Sequence, residues 1–218
     1  MPKYDTVIFD LDGTLLDTLG DLCDSTNFAL SQFGYPEKAL SEVRSFVGNG
    51  IGVLIEKALP RGKEDPSYEE VLKTFKAHYA LNCNNKTHVY DGIDKLLRDL
   101  KSNGYNIAVV SNKVDSAVKE LCKRYFTDTV EIAIGETENI RRKPAPDEVY
   151  AAMKHFNAAK GSTVYIGDSE VDILTARNAQ IDCISVSWGF RSKSELIEAG
   201  AKVISDSPDD VFKLITSL

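Results

Sequence analysis

Cysteine and histidine are scarce in this chain, with four and three among 218 residues. Cys23, Cys83, Cys122 and Cys183 form no C-x-x-C pair, and His78, His88 and His155 are equally scattered. That spacing argues against a zinc site and a disulfide framework. The thiols are expected to be reduced and mostly buried in a cytoplasmic protein. Basic charge is short as well: 26 Lys and Arg face 33 Asp and Glu, a net charge of -7. Nucleic acid and anionic membranes need a basic face, so neither is an expected partner. No apolar run approaches the ~20 residues of a membrane span. The N-terminus has no charged segment followed by a long apolar one, so no signal peptide is expected. Internal repeats and low-complexity tracts are absent too.

What is present is a globular mixture, 43% hydrophobic and 27% charged. The length suits one core plus a small accessory domain, at roughly 100–200 residues per domain. Residues 4–10, YDTVIFD, read as a strand. From 17 to 85 the apolar residues recur at helical spacing: Leu19, Leu22, Cys23, Leu30 and Phe33, then Val43, Phe46 and Val47, then Leu54, Ile55 and Leu59, then Val71, Leu72, Phe75 and Tyr79. Gly34, Pro36, Pro60, Gly62 and Pro66 punctuate them, which gives about four helices. After residue 90 strands and helices alternate, with strands at YNIAVVS, EIAIG, STVYIGD, DCISVSW and AKVIS. Alternation of this kind implies a mostly parallel sheet. The expected fold is α/β, a Rossmann-like parallel-sheet core of residues 1–16 plus 86–218, with a four-helix-type cap domain, 17–85, inserted after the first strand.

Ligands in open α/β sheets sit at the carboxyl ends of the strands. The first strand ends in Asp10-Leu11-Asp12-Gly13-Thr14, the second in Ser111-Asn112-Lys113, and STVYIGD runs into Ser169 with Asp172 beyond; RRKPAPD carries Lys143. One sheet edge then collects four aspartates. At 4 Å and an effective dielectric of ~20, each close pair of carboxylates costs about 4 kcal/mol. One lysine cannot offset that, whereas a divalent cation can. Oxygen-only ligands on loops suit Mg²⁺, which shares its shell with a phosphate. A carboxylate can attack phosphorus to give an aspartyl-phosphate. A second carboxylic acid, two residues on, can protonate the leaving oxygen and later activate water. Thr14, Ser111, Asn112 and Lys143 are the expected phosphate contacts.

The segments FDLDGTLLDT, VVSNK, RRKPAP and IGDSEVD, in this order, resemble the four motifs of the haloacid dehalogenase-like hydrolase superfamily. The resemblance implies Asp10 as nucleophile and Asp12 as acid/base. It implies Ser111 and Lys143 as phosphate binders. It further implies a Mg²⁺ site from the Asp10 side chain, the Asp12 carbonyl and Asp168, with Asp172 in support. The insertion, with DTLGDL and VRSFVGNGIGVLIEKAL, is similar to the cap of the phosphoglycolate phosphatase-like branch. Branch markers agree: the dehalogenase branch lacks the second aspartate, and the β-phosphoglucomutase branch typically has valine and glutamate where Thr14 and Gly167 stand.

Several residues keep two readings. Ser111 could cap the next helix, Lys143 could be a solvated charge, and Asp172 could be a first-turn acid facing the helix macrodipole. Arg44 with Gly48, Asn49 and Gly50 reads either as a helix-to-helix turn or as a cap loop that binds a substrate anion. Trp188-Gly189-Phe190 reads as packing or as a loop with a role of its own. The expectation is a Mg²⁺-dependent phosphomonoester hydrolase, monomer or homodimer, acting on a small phosphorylated metabolite such as 2-phosphoglycolate. The alternatives are a sugar-phosphate mutase, a pyrophosphatase, or a catalytically silent binding protein on the same fold.

Overall fold

The computed structural model describes residues 3–217. In chain order the elements are β1 (Thr6–Phe9), β2 (Leu16–Asp17), α1 (Leu19–Gln32), α2 (Leu40–Phe46), α3 (Ile51–Ala58), α4 (Tyr68–Asn82), β3 (His88–Val89), α5 (Ile93–Ser102), β4 (Asn106–Val114), α6 (Asp115–Tyr125) and β5 (Ile132–Glu136). Then follow α7 (Asp147–Phe156), β6 (Thr163–Gly167), α8 (Glu170–Ala179), β7 (Asp182–Val186), α9 (Lys193–Glu198), β8 (Ile204–Ser205) and α10 (Pro208–Thr216). Two compact units result, Met1–Leu16 with Val89–Leu218, and Asp17–His88.

The first unit is built on a six-stranded sheet in the order β5-β4-β1-β6-β7-β8, parallel at each strand pair. Every residue of β1 is buried, because the sheet is covered on both faces. The period-2 alternation of a strand separates the two cores. Val7, Phe9, Ile107, Val109, Val164 and Ile166 point to one face, against Leu96, Leu97, Leu100, Val118 and Val211 of α5, α6 and α10. Ile8, Ala108, Val110 and Tyr165 point to the other, against Val149, Ala152, Met153, Ala176 and Ala179 of α7 and α8. β1 therefore sits at mid-sheet with β4 and β6 on its flanks, and its carboxyl end opens where those strands also end.

The register of β4 against β5 shifts between Val110 and Val114. A bulge of this kind re-aims side chains, and it falls on Ser111, Asn112 and Lys113. The sequence reading ended the strand at Ser111; the strand runs on through Asn112 and Lys113 to Val114. β8 is only two residues long, and β2 and β3, which pair as a separate ribbon, carry no legible strand signal.

The second unit is the helical one. α1 packs on α2 and α4, and α3 on α2 and α4, around Leu22, Leu30, Val43, Leu54, Ile55, Val71, Phe75 and Tyr79, all buried. Phe33, read as part of the α1 stripe, caps that helix and is exposed. Asp21, buried in the first turn of α1, accepts hydrogen bonds from the N–H groups of Asn85, Lys86 and Thr87 and from the Thr87 hydroxyl. Those donors satisfy a carboxylate that burial would otherwise penalise.

Candidate active site

The carboxyl ends of β1, β4 and β6 bring the motif residues together. After Phe9 the chain turns tightly: Leu15 and Leu16 donate to the Leu11 carbonyl, and Gly13 donates to that of Leu16. Gly13 has φ +88°, and a Cβ there would lie 2.5 Å from an Asp168 oxygen. Only glycine fits both demands. The turn leaves Asp10 almost buried, with Oδ1 2.8 Å from Lys143 Nζ.

Lys143 is itself buried. Its ammonium also meets Asp172 Oδ1 at 2.8 Å and the Tyr165 hydroxyl at 3.0 Å. Burial alone draws its pKa down, but the Asp10 and Asp172 carboxylates outweigh burial and hold it well above the ordinary lysine value. The reading of Lys143 as a solvated charge is therefore excluded.

Asp172 is fully buried. Oδ1 accepts from Lys143 and from Tyr165 at 3.0 Å; Oδ2 accepts from the Ser169 N–H at 3.1 Å and the Ser169 hydroxyl at 2.6 Å. Four donors occupy the roughly four acceptor positions of a carboxylate. Asp172 thus closes a capping box at the start of α8, in keeping with its reading as a first-turn acid, and it also braces Lys143.

Asp168, also buried, accepts from the Thr14 hydroxyl at 3.3 Å and from the Phe190 N–H at 2.6 Å. Burial, and behind it Asp172, push its pKa up to about 7. Asp10 is raised too, by burial first, with Lys143 pulling the other way and Asp172 and Asp168 adding to the rise. One carboxylate oxygen from each of Asp10, Asp168 and Asp172 lies within 4.8 Å of the others. The cluster concentrates more negative charge than one lysine balances, and its donors are hard oxygens; this is a fit to a small divalent cation such as Mg²⁺.

Thr14, expected as a phosphate contact, is fully buried and gives its hydroxyl to Asp168. Asn112 donates to the Lys143 carbonyl at 3.1 Å and so ties the second motif to the third. Ser111 Oγ accepts from the Lys113 N–H at 3.3 Å. Arg44, Gly48, Asn49 and Gly50 belong to the helical unit. Arg44 lies exposed in the last turn of α2, and Gly48 and Gly50 have φ +110° and +83° between α2 and α3.

Four features escaped the sequence reading. Tyr165 joins the Lys143–Asp172 pair. The loop after β7 also holds the site: Trp188 Nε1 donates to the Thr14 carbonyl at 3.0 Å, and Phe190 supplies its N–H to Asp168. Lys113 meets Asp12, Nζ to Oδ1 2.9 Å. Glu148 lies fully buried in the first turn of α7, and neither of its carboxylate oxygens has a hydrogen-bond partner among the described residues. Of these, Lys113 left a trace in the sequence as the third residue of Ser-Asn-Lys, and the loop after β7 as Trp188-Gly189-Phe190.

Comparison with known proteins agrees with this arrangement. Residues 7–186 match the family described as haloacid dehalogenase-like hydrolase. The phosphoglycolate phosphatase of Nitrosococcus oceani is 30% identical, over 99% of this chain and 98% of its own. Phosphoglycolate phosphatase 1 of Pseudomonas aeruginosa is 31% identical over 94% of this chain and 77% of its own. A crystal structure from Lactobacillus delbrueckii subsp. bulgaricus, whose assignment as a phosphoglycolate phosphatase is itself provisional, superposes with a TM-score of 0.95. It is 36% identical and covers 99% of this chain and 100% of its own.

Proposed function

The chain belongs to the haloacid dehalogenase-like hydrolases, enzymes here acting on phosphate esters, and from that premise we propose a Mg²⁺-dependent phosphomonoester hydrolase that works through an aspartyl-phosphate on a small acidic substrate such as 2-phosphoglycolate. The observation that carries the reading is the buried triangle of Asp10, Lys143 and Asp172 beside Asp168. It holds one carboxylate at the strand end, with a lysine that suits a phosphoryl anion and acids that suit a divalent cation.

The residues divide the work. Asp10 is the nucleophile: its carboxylate oxygen bonds phosphorus as the ester P–O bond breaks. Asp12 donates the proton that the departing oxygen needs, then takes one from the water that hydrolyses the acyl phosphate. Lys143 carries charge toward the phosphoryl oxygens, and Ser111 would donate its hydroxyl to them. The Asp10 and Asp168 side chains, with the Asp12 carbonyl, would hold Mg²⁺. Asp172, whose acceptors are filled, braces the site from behind. Bound there, the cation offsets repulsion between the substrate dianion and Asp10.

The substrate reading rests on the relatives that carry the name phosphoglycolate phosphatase and on Arg44 with the Gly48–Gly50 connection, which suit a small carboxylate. Gly167 speaks against the mutase alternative. A Cβ at that position would overlap the Asp172 side chain, so a glutamate there is incompatible with this Asp172 arrangement. The test is kcat/KM for 2-phosphoglycolate, β-glucose 1-phosphate, pyrophosphate and AMP under one set of conditions. The first is expected to lead. A lead for any other overturns the substrate assignment, and failure to release phosphate from all four, and from p-nitrophenyl phosphate, overturns the hydrolase reading.

A further inference from the structure

Lys113 is 3% exposed along its side chain, and its ammonium lies 2.9 Å from Asp12 Oδ1, on a carboxylate whose side chain is 20% exposed. Removing an ammonium from water costs several kcal/mol unless a close partner compensates, so this lysine is not a surface charge that drifted inward. It is delivered by the bulge in β4, which sends neighbouring side chains to separate targets: Asn112 to the Lys143 carbonyl, Lys113 to Asp12. The site thus contains two buried lysines, each on a different aspartate. Lys143 serves Asp10, and the phosphoryl chemistry accounts for it. Nothing in the phosphoryl chemistry requires Lys113.

We propose that Lys113 is a positioning residue that holds the Asp12 carboxyl group in line for proton transfer to the leaving group. The inference rests on the reading of Asp12 as general acid and base. When the ester P–O bond breaks, the departing oxygen takes the Asp12 proton and Asp12 becomes a carboxylate. An ammonium at ion-pair distance stabilises the charge that develops on Asp12 in that step, and it fixes the side-chain rotamer in a partly open site. The same contact keeps the carboxylate in place when water must be deprotonated in the second half of the reaction.

This role separates experimentally from a structural one, because only substrates that need a proton feel it. p-Nitrophenolate leaves without protonation, whereas an alkoxide does not. kcat/KM reports steps up to departure of the leaving group, so slow hydrolysis of the acyl phosphate does not enter. Lys113→Met is expected to lower kcat/KM about 10- to 100-fold for 2-phosphoglycolate, and less than about threefold for p-nitrophenyl phosphate. Lys113→Arg, which keeps charge and donors, is expected to recover most of the loss. Should the Met variant fail to fold, Lys113→Gln, which keeps a donor, is expected to show a smaller loss with the same substrate bias. In an Asp12→Ala background, Lys113→Met is expected to add nothing, since residues acting through one another are non-additive. Equal losses on both substrates, or a loss that persists in the Asp12→Ala background, overturn the proposal. If Asp12→Ala alone shows no leaving-group bias, the acid assignment falls and takes this inference with it; biased loss in Asp12→Ala with an unbiased Lys113→Met refutes Lys113 alone.

Discussion

Replacing Glu148 by Gln should stabilise the α/β unit above neutral pH and do so far less near pH 5. The side chain is fully buried, and neither oxygen has a hydrogen-bond partner among the described residues. Burial raises its pKa from 4.5 to about 7. Lys143 draws it back part of the way, and Glu136, Asp115 and Asp147 add to the rise. Because the folded protein binds this proton more tightly than the unfolded chain, stability is full below pH 4.5 and is lost as pH rises through about 7. At 1.36 kcal/mol per pKa unit, the loss amounts to about 3 kcal/mol. For a chain of this size that is ~6–12 °C in Tm. The amide of Gln cannot ionise, so it escapes this loss. It keeps a buried polar group, whose unmet hydrogen bonding costs about 1–3 kcal/mol. Glu148→Met removes that cost as well and should be the most stable of the three. The assay is thermal unfolding at pH 5 and pH 8 with Mg²⁺ present, so that Asp168, which also titrates near 7, is held constant by difference. A Gln variant no more stable than the parent at pH 8, or a difference that does not change with pH, would refute the reasoning. It would mean that burial does not raise the Glu148 pKa in the folded state.

Asp10→Asn keeps the side-chain shape but removes the attacking charge; activity should fall by at least ~10³ with the fold retained, checked by kcat and circular dichroism. Chelation should abolish turnover and Mg²⁺ restore it, while Ca²⁺ binds yet supports little, its looser shell misplacing the nucleophile. Calorimetric titration should show Mg²⁺ binding weakening as pH falls below about 7, because the Asp168 proton competes with the metal, and binding should be lost in Asp168→Asn. Arg44→Ala should raise KM for 2-phosphoglycolate more than for p-nitrophenyl phosphate; equal effects on both would make Arg44 a structural residue.

Legibility in the sequence followed the range of the interaction. β1 announces itself as an uninterrupted apolar run because it is buried on both faces, and the motifs could be aligned to one sheet edge because strand order obeys parallel crossovers. Residues whose role is set by distant partners were misread or missed. Asp21 looks like an ordinary first-turn acid, and its partners are more than sixty residues away at Asn85, Lys86 and Thr87. Glu148, in PDEVY, has the same appearance, yet the packing of α7 on the sheet buries it. Thr14 was read as a phosphate contact; it is buried and gives its hydroxyl to Asp168, 154 residues away. The Trp188–Phe190 loop holds the site through the Trp188 indole and the Phe190 backbone N–H, and a backbone donor is something sequence does not display. β2 and β3 are two residues each, too short for alternation to register.

The sheet order explains why two aspartates of one short motif can do different work. β1 lies between β4 and β6, and the chain turns as soon as it leaves the strand. Asp10 still lies on the strand line, its N–H bonded to the Ile166 carbonyl of β6 at 2.9 Å. It therefore joins the acids that follow β6, Asp168 and Asp172, and shares Lys143 with the second of them. Asp12, past the start of the turn, meets the β4 side and Lys113. A residue set among carboxylates and a fixed cation is oriented for attack and screened from water. A residue paired with one lysine and partly open can lose and regain a proton. On the proposed mechanism, two residues of separation at the end of a central parallel strand would divide nucleophile from proton carrier, because each neighbouring strand supplies its own surroundings.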